Sequence, residues 1–343
     1  MKPSPLRRRS WRYYRNWLIF MLMWAVVLIT AIWALRSSWL VFLLWAIPAY
    51  VVGSTIYYAY YLTHPRVKLR MRTLTPGDAG LEYEQVQFPS RDGLSLFGWY
   101  VPGRKRATII LVHGGGSHGM AMIYHASGLA LYDYGVLMFD LRAHGSSEGD
   151  VCTSGWREVE DLLGAVDYVQ SRGDVDADGI GVLGLSLGGQ VALRAAAQSE
   201  AIRAVVAEGP SPAALADHGR RPTRLLGWLY LPVNWLHYAM LSFMNGTKPP
   251  RGVLAAIRDI APRPVLLISA GKRSEQRFGR MLYRAASEPK ELWELPEAKH
   301  GGAYFLDPEA YAARVSQFFD AALGGGCGQD SESVEAPDGA DIP

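Results

Sequence analysis

The sequence predicts an α/β domain with a mostly parallel sheet, preceded by a membrane anchor. Two uncharged apolar runs lie within the first 62 residues, and from residue 81 onward short β-branched runs alternate with helical patterns. A glycine-rich motif between a predicted strand and a predicted helix supplies the candidate chemistry. The chain has 343 residues, 49% of them hydrophobic, and can bury a large core. A formal net charge of +3 argues against a nucleic-acid partner, and the two distant cysteines form no zinc or redox motif.

Residues 1–72 are predicted to anchor the chain in a membrane. Residues 17–35 and 39–62 are uncharged, and each run has the roughly 20 residues needed to cross a hydrocarbon layer. Six cations precede the first run, one lies between the runs and four follow the second. The positive-inside rule then places both flanks and the following domain in the cytoplasm of a two-span protein of the cell membrane. A cleaved signal peptide and a single span with an interfacial second segment, which would place the domain outside, remain as alternatives.

Residues 73–323 are predicted to form the α/β domain, in which each strand is followed by a turn or a helix. The predicted strands are 81–88, 94–101, 107–112, 135–139, 180–183, 202–206, 265–268 and 291–295. The predicted helices are 119–134, 155–171, 188–198, 276–286 and 309–323. This alternation favours a sheet that is covered by helices on both faces.

Two segments interrupt the alternation. Residues 210–260 are inserted between two predicted strands and contain the apolar stretch 225–244. We interpret the insertion as a helical cap over a pocket, with a third membrane span as the alternative. Residues 324–343 hold five acids and no Lys or Arg, which predicts an acidic disordered tail.

The motif Gly184-x-Ser186-x-Gly188 lies between the strand at 180–183 and a helix that begins at Leu187. This is the context of a nucleophile elbow, in which a tight turn exposes a serine at the edge of the sheet. Ser186 is therefore the predicted nucleophile, and the Leu187 N–H at the helix start is a predicted oxyanion-hole donor. The glycines at 179, 181 and 184 also match a dinucleotide fingerprint. We reject that reading because residues 173–178 cannot form the buried strand that must precede it.

The other candidate residues follow from their place in the chain. Glycine-rich backbone after the strand at 107–112 can supply a second oxyanion-hole donor, and we favour Gly115 among the candidates Gly114, Gly115 and Gly116. His300 follows the last strand and has the order expected of a catalytic base. Glu275 is the first carboxylate after the strand at 265–268 and is the predicted acid. The reserve candidates are Glu208 and, more weakly, Asp259, while His113 is expected to be structural and His118 and His125 to lie on helix surfaces.

Taken together, these residues resemble the α/β-hydrolase superfamily, and in particular its dienelactone-hydrolase/prolyl-oligopeptidase-like serine hydrolases. Residues 140–147 (DLRAHGSS) are similar to the loop D-x-R-G-H-G-x-S of that branch, with Ala143 where glycine is usual. The resemblance covers residues 81–323. It implies an eight-stranded sheet, a structural role for the 140–147 loop, and hydrolysis through an acyl-enzyme without a metal or organic cofactor. Many members carry an Asp at the position of Ser274, whereas here the acid Glu275 comes one residue later.

The predicted function is that of a membrane-anchored serine hydrolase that cleaves an ester, thioester or related acyl bond through Ser186, His300 and Glu275. Aromatic residues in the insertion either indicate an apolar or lipid-like acyl substrate or simply pack the cap on the core; they are Trp228, Tyr230, Trp235, Tyr238 and Phe243. A peptidase or acyltransferase could use the same three residues. A non-catalytic scaffold on this fold would instead carry an inert Ser186.

Overall fold

The computed structural model of the chain describes residues 11–64, 74–218 and 225–324, with the side chains of 225–231 left out. The predicted acidic tail, apart from its first residue, lies outside the described residues. So do most of the cations that flank the two apolar runs.

An eight-stranded sheet forms the centre of the domain, as predicted. Its strands are β1 (Glu84–Pro89), β2 (Ser95–Val101), β3 (Thr108–Val112), β4 (Gly135–Phe139), β5 (Ile180–Leu185), β6 (Ala204–Glu208), β7 (Val265–Ala270) and β8 (Lys290–Leu295). They lie in the order β1-β2-β4-β3-β5-β6-β7-β8. β2 pairs antiparallel with β1 and with β4, and every other neighbouring pair is parallel. The carboxyl ends of β3 and β5 to β8 therefore meet at one edge of the sheet.

The described residues form nine α-helices, several of which cover the two faces of this sheet. They are α1 (Trp11–Ser37), α2 (Trp39–Thr63), α3 (Ile123–Ala130), α4 (Glu158–Gln170), α5 (Leu187–Ala196), α6 (Leu225–Asn245), α7 (Val253–Ala256), α8 (Arg273–Ala285) and α9 (Pro308–Leu323). Ile110 and Val112 of β3 belong to a core shared with α4, α5 and α8, whereas Ile109 and Leu111 belong to a second core shared with α3 and α9. Alternate side chains of a buried strand thus supply two hydrophobic layers, as a parallel sheet requires.

Two element boundaries differ from the predicted ones in ways that affect the site. β6 reaches Glu208 instead of ending at residue 206, because Glu208 pairs with Leu185 of β5 and Ile268 of β7. Its buried carboxylate accepts hydrogen bonds from the Ala303 N–H and the Tyr311 hydroxyl. α8 begins at Arg273 instead of residue 276, so Glu275 lies in the first turn of a helix. In both places hydrogen bonds to the carboxylate offset the cost of burying it within a regular element.

The prediction that His125 lies on a helix surface is wrong. Its side chain is buried, and its ring centroid lies 5.0 Å from that of Tyr304 and 5.5 Å from that of Tyr311. The helix α3 is shorter than predicted and packs against α9, which covers this face. Burial lowers the pKa of His125 to about 4.

The two N-terminal helices, α1 and α2, are long and apolar enough to cross a membrane, with mean hydropathies of 2.6 and 1.8. Ser38 separates them and caps α2 by accepting a hydrogen bond from the Val41 N–H at 3.2 Å. The pair contacts the domain at its other end. There the Asn16 side chain donates to the Met244 carbonyl of α6, and Thr63 accepts from the Cys152 N–H. Most of the remaining apolar surface of the two helices is exposed.

Candidate active site

Ser186 lies on a strained turn between β5 and α5. Its backbone has φ +54° and ψ −110°, an unfavourable conformation for a residue with a side chain. The flanking glycines make the turn possible: a Cβ at Gly184 would lie 2.3 Å from the carbonyl oxygen of Gly188, and one at Gly188 would lie 2.1 Å from that of Val112. The motif G-x-S-x-G thus reflects close backbone packing, and it holds the serine at the carboxyl edge of the sheet.

The structure brings the three predicted residues Ser186, His300 and Glu275 together. The Ser186 hydroxyl donates to Nε2 of His300 at 2.9 Å, and Nδ1 of His300 donates to Oε2 of Glu275 at 2.6 Å. The other carboxylate oxygen accepts from the Ala270 N–H at 2.8 Å, which fixes the Glu275 side chain against the end of β7. The chain of hydrogen bonds keeps the proton of the neutral imidazole on Nδ1 and leaves Nε2 facing the serine.

Glu275 and His300 shift each other's pKa values. The hydrogen bond with Glu275 raises the pKa of His300 and outweighs the opposing effect of burial. Burial of Glu275 would raise the pKa of its carboxyl, but hydrogen bonds from His300 and from the Ala270 N–H hold that pKa below its usual range. The pair therefore favours an ionised carboxylate beside an imidazole that accepts a proton readily.

The two reserve acids lie elsewhere. Glu208 is fully buried, and its carboxylate accepts from the Ala303 N–H at 3.1 Å and from the Tyr311 hydroxyl at 2.9 Å. It therefore stabilises the loop that follows His300. Burial raises the pKa of Glu208 despite these two hydrogen bonds. Asp259 is exposed and forms an ion pair with Arg251.

The predicted oxyanion-hole residues lie beside the serine. A Cβ built on Gly114 would lie 3.5 Å from Cβ of Ser186, and one on Gly115 would lie 3.6 Å from Cδ2 of Leu187. Leu187 is the first residue of α5, so its N–H has no acceptor within that helix. The Gly116 N–H donates to Nε2 of His144 at 3.3 Å. This hydrogen bond occupies the Gly116 donor and leaves the N–H groups of Leu187, Gly114 and Gly115 as the candidate oxyanion-hole donors.

His113 and the 140–147 loop support this glycine segment. His113 is fully buried; its Nδ1 donates to the Gly114 carbonyl at 2.8 Å, and its Nε2 accepts from the Leu141 N–H at 3.0 Å. The Asp140 carboxylate accepts from the N–H groups of Gly119 and Ser146, at 2.8 and 2.7 Å. These bonds connect the ends of β3 and β4 and are structural in character.

A cavity of about 1130 Å³ includes Ser186, Gly115 and Leu187 in its wall. The rest of the wall contains residues of α2, between Ser54 and Leu62, and residues of α6, between Val233 and Leu241. Among the described residues, no group of three or more His, Cys, Asp or Glu side chains is arranged to hold a metal ion.

Two contributions to the site escaped the sequence analysis. Gly209 has φ +55°, and a Cβ there would lie 2.8 Å from Oε1 of Glu275, so the residue after β6 must be small to admit the acid. A glycine three residues after the predicted strand 202–206 was a weak signal, and it directly follows the strand only once β6 is seen to reach Glu208. The contribution of α2 to the cavity had no signal, because Ser54 and Ser186 are far apart in the sequence and no local pattern connects them.

A sheet in this strand order, with a serine on a strained turn after β5 and a histidine after β8, defines an α/β hydrolase. The chain belongs to this family, since a model of the alpha/beta hydrolase family matches residues 109–314. The uncharacterized protein YfhR of Salmonella typhimurium is 31% identical over 244 residues, which cover 66% of this chain and 78% of that protein.

Solved structures with a similar fold include hydrolases. The esterase Pf2001 of Pyrococcus furiosus is 28% identical with a TM-score of 0.61, and the match covers 77% of this chain and 99% of that chain. The dienelactone hydrolase of Anabaena variabilis is 20% identical with a TM-score of 0.53, and the match covers 71% and 99% of the two chains. The second similarity shows the fold alone. Together with the family match, these findings confirm the predicted fold and superfamily and support a hydrolase.

Proposed function

We propose that this protein is a membrane-anchored serine hydrolase that cleaves an ester, thioester or related acyl bond of an apolar substrate. The observation that carries the proposal is the continuous hydrogen-bonded chain from Ser186 through His300 to Glu275. Nucleophile, base and orienting acid lie within hydrogen-bonding distance of one another, which is the geometry that activates a serine. The similarity to the Pyrococcus furiosus esterase favours esters among the possible acyl compounds.

The reaction proceeds in two halves. The Ser186 oxygen attacks the acyl carbonyl while Nε2 of His300 takes the hydroxyl proton, and the carboxylate of Glu275 stabilises the resulting imidazolium. N–H groups of Leu187 and Gly115 stabilise the oxyanion of the tetrahedral intermediate. His300 then protonates the leaving group, which departs and leaves an acyl-enzyme. A water molecule, deprotonated by His300, attacks the acyl carbonyl, and the acid product is released as Ser186 regains its proton.

Large apolar side chains support the choice of an apolar substrate. Trp156, Tyr238 and Leu241 line the cavity that contains Ser186, and each buries most of its surface in a cluster with Ile56 of α2. Apolar walls favour an acyl chain over a charged group, because an apolar chain gains from leaving water. A chain-length series of esters with one leaving group tests this choice. Preference for acetyl over octanoyl esters would contradict it.

The membrane anchor and its orientation are part of the proposal. The lengths and hydropathies of α1 and α2 support two spans, and the distribution of cations in the sequence favours a cytoplasmic domain. Protease treatment of sealed inside-out vesicles from cells that express the full chain tests the orientation. Digestion of the domain is expected there, and protection would place the domain on the other side.

Labelling by a fluorophosphonate, which reacts with activated serines, tests the chemistry. Membranes that carry the full chain are treated with the probe, and the wild type is compared with Ser186→Ala. We expect labelling of the wild type, complete loss of labelling in the variant, and a loss of esterase activity of about 10⁴-fold or more. An unlabelled but folded wild type, or full activity in Ser186→Ala, would contradict the proposal.

A further inference from the structure

We propose that the second apolar helix, α2, is part of the substrate-binding site, and that an uncharged long-chain lipid ester enters the cavity sideways from the bilayer between α2 and α6. The inference rests on the proposed function, because it assigns a substrate class and an entry route to the same serine. It makes α2 a binding element as well as an anchor.

The wall of the cavity is shared between the α/β domain and α2. Ser54, Tyr58 and Tyr61 of α2 line the same cavity as Ser186. These residues belong to the second uncharged run, so one wall of the cavity is built from a helix that is apolar enough to cross a membrane. A substrate bound to Ser186 therefore lies within reach of a chain segment that the bilayer also contacts.

The helix α6 lies alongside α2. Near the end of both helices the Thr63 hydroxyl contacts the Met244 sulfur at 3.6 Å, and further back the ring centroid of Tyr58 lies 5.4 Å from that of His237. The two helices therefore run side by side in the same direction. Val233 of α6 lines the cavity together with Ser54 of α2, so the cavity extends along the seam between the helices.

The position of Ser54 in α2 determines its depth in the bilayer. Ser54 lies eight residues before the end of the uncharged run at Leu62, which corresponds to about 12 Å along a helix. With α2 spanning a hydrocarbon layer of roughly 30 Å, Ser54 lies among the acyl chains of the lipids. On α6, Trp235 is 63% exposed, which suits contact with the same apolar phase. The opening between α2 and α6 therefore faces the acyl chains of the bilayer and not the aqueous phase.

The cavity wall also limits the chemistry of the substrate. Its described lining residues include no Asp, Glu, Lys or Arg, and its basic side chains are the histidines His118, His218 and His237, so the wall offers a charged headgroup no permanently charged partner. The volume of about 1130 Å³ is above the roughly 300–1,000 Å³ of typical small-molecule pockets. An uncharged ester with a long acyl chain fits both properties, with its carbonyl at Ser186 and its chain along α2.

The test uses the full chain reconstituted in phosphatidylcholine vesicles and two substrates with the same leaving group. 4-Methylumbelliferyl butyrate is offered in water, and 4-methylumbelliferyl oleate is embedded in the vesicles. The variant Ser54→Trp places an indole at the seam between the helices. The control Val52→Trp places the same group two residues away, on the opposite side of α2 and outside the cavity wall.

We expect Ser54→Trp to lower the ratio of oleate to butyrate hydrolysis by about tenfold or more, and Val52→Trp to leave that ratio within about twofold of the wild-type value. Fluorophosphonate labelling of each variant confirms that the site is folded. Equal ratios in the two variants, or a wild type that cleaves the soluble ester but not the embedded one, would overturn the lipid route while leaving the proposed hydrolase intact. A wild type that neither is labelled nor cleaves either ester would overturn both.

A second measurement does not depend on a blocking substitution. The adjacent residues Tyr57 and Tyr58 are both 54% exposed, but only Tyr58 lines the cavity. Each is replaced in turn by p-benzoylphenylalanine, a photoreactive relative of tyrosine, and Ser186 is labelled with a long-chain fluorophosphonate. With the photoreactive residue at position 58, irradiation is expected to crosslink the probe to the peptide that carries it. With the photoreactive residue at position 57, no crosslink is expected. Equal crosslinking from both positions, or crosslinking from neither, would contradict the placement of the chain along α2.

Discussion

His113 and His300 both follow a strand at the carboxyl edge of the sheet, and both carry the proton of the neutral imidazole on Nδ1. The difference lies in their partners. His113 donates to the Gly114 carbonyl and accepts from the Leu141 N–H, two backbone groups that do not change their protonation. His300 donates to the Glu275 carboxylate and accepts from the Ser186 hydroxyl, which can give up its proton. The same type of side chain connects backbone segments in one place and is the proposed base in the other.

Burial separates the two histidines further. His113 is fully buried, and desolvation together with the nearby His144 lowers its pKa well below the ordinary value. The side chain of His300 is 48% exposed, and the Glu275 carboxylate raises its pKa. The carboxylate partner, more than the position at the sheet edge, raises the pKa of His300 and distinguishes the proposed base from His113. Four predictions test this comparison, beginning with the largest expected effect.

The substitution His300→Ala removes the proton carrier. We expect kcat/KM for a soluble ester to fall by about 10⁴- to 10⁶-fold, because Ser186 then has no base. The thermal unfolding temperature should change little, since the imidazole is half exposed and packs on few groups. Esterase assays and melting curves on the purified protein check both statements. Retention of more than a few per cent of the activity would remove His300 from its proposed role.

The substitution Glu275→Gln keeps the size of the acid and removes its charge. The imidazolium then loses its stabilising partner, and an amide can also orient the ring in the wrong tautomer, so kcat should fall by about 10²- to 10⁴-fold. The matched control is Glu208→Gln, where the side chain contacts the Ala303 N–H and the Tyr311 hydroxyl instead of His300. We expect a smaller loss of kcat there. An equal or greater loss in Glu208→Gln would transfer the acid's role to Glu208.

The elbow and the order of the proposed triad could be predicted because they depend on local patterns. At Gly184 and Gly188 the backbone of the turn lies too close to its neighbours for any side chain. The two glycines of the motif are therefore required by the turn and predict it. His300 and Glu275 could be found because the order of strands in the chain determines which loops reach the serine. Glu275 lies one residue later than the related proteins suggest, and its longer side chain still reaches the imidazole at 2.6 Å.

Contacts between distant elements could not be predicted in the same way. The periodicity of a helix shows that it has an apolar face, but it does not show which neighbouring element covers its remaining surface. The burial of His125 beside Tyr304 could therefore not be predicted. The uncharged run of α2 predicted a span and gave no indication that Tyr58 would line the cavity that holds Ser186. Both findings depend on tertiary packing, which a single sequence does not record.

The substitution His113→Ala tests the structural half of the comparison. It leaves the buried Leu141 N–H without an acceptor and opens a cavity at the end of β3. We expect the free energy of unfolding to fall by about 2–4 kcal/mol, a much greater loss of stability than in His300→Ala. Melting curves of the two variants in one detergent measure the difference. Equal melting temperatures would mean that the hydrogen bonds of His113 do not stabilise the ends of β3 and β4.

The pH dependence of serine reactivity tests whether the Glu275 carboxylate controls the ionisation of His300. His300 accepts the serine proton only when it is neutral, so the rate of fluorophosphonate labelling should fall as the pH drops through the pKa of His300. The hydrogen bond with Glu275 raises that pKa above its ordinary value of about 6.5, so the acid limb of the profile should lie above that value. In Glu275→Gln the carboxylate is gone, and the limb should move to lower pH. Glu208→Gln should move it less, because the Glu208 charge raises the pKa of His300 only through space. An acid limb that Glu275→Gln leaves in place would show that another group controls the ionisation of the base.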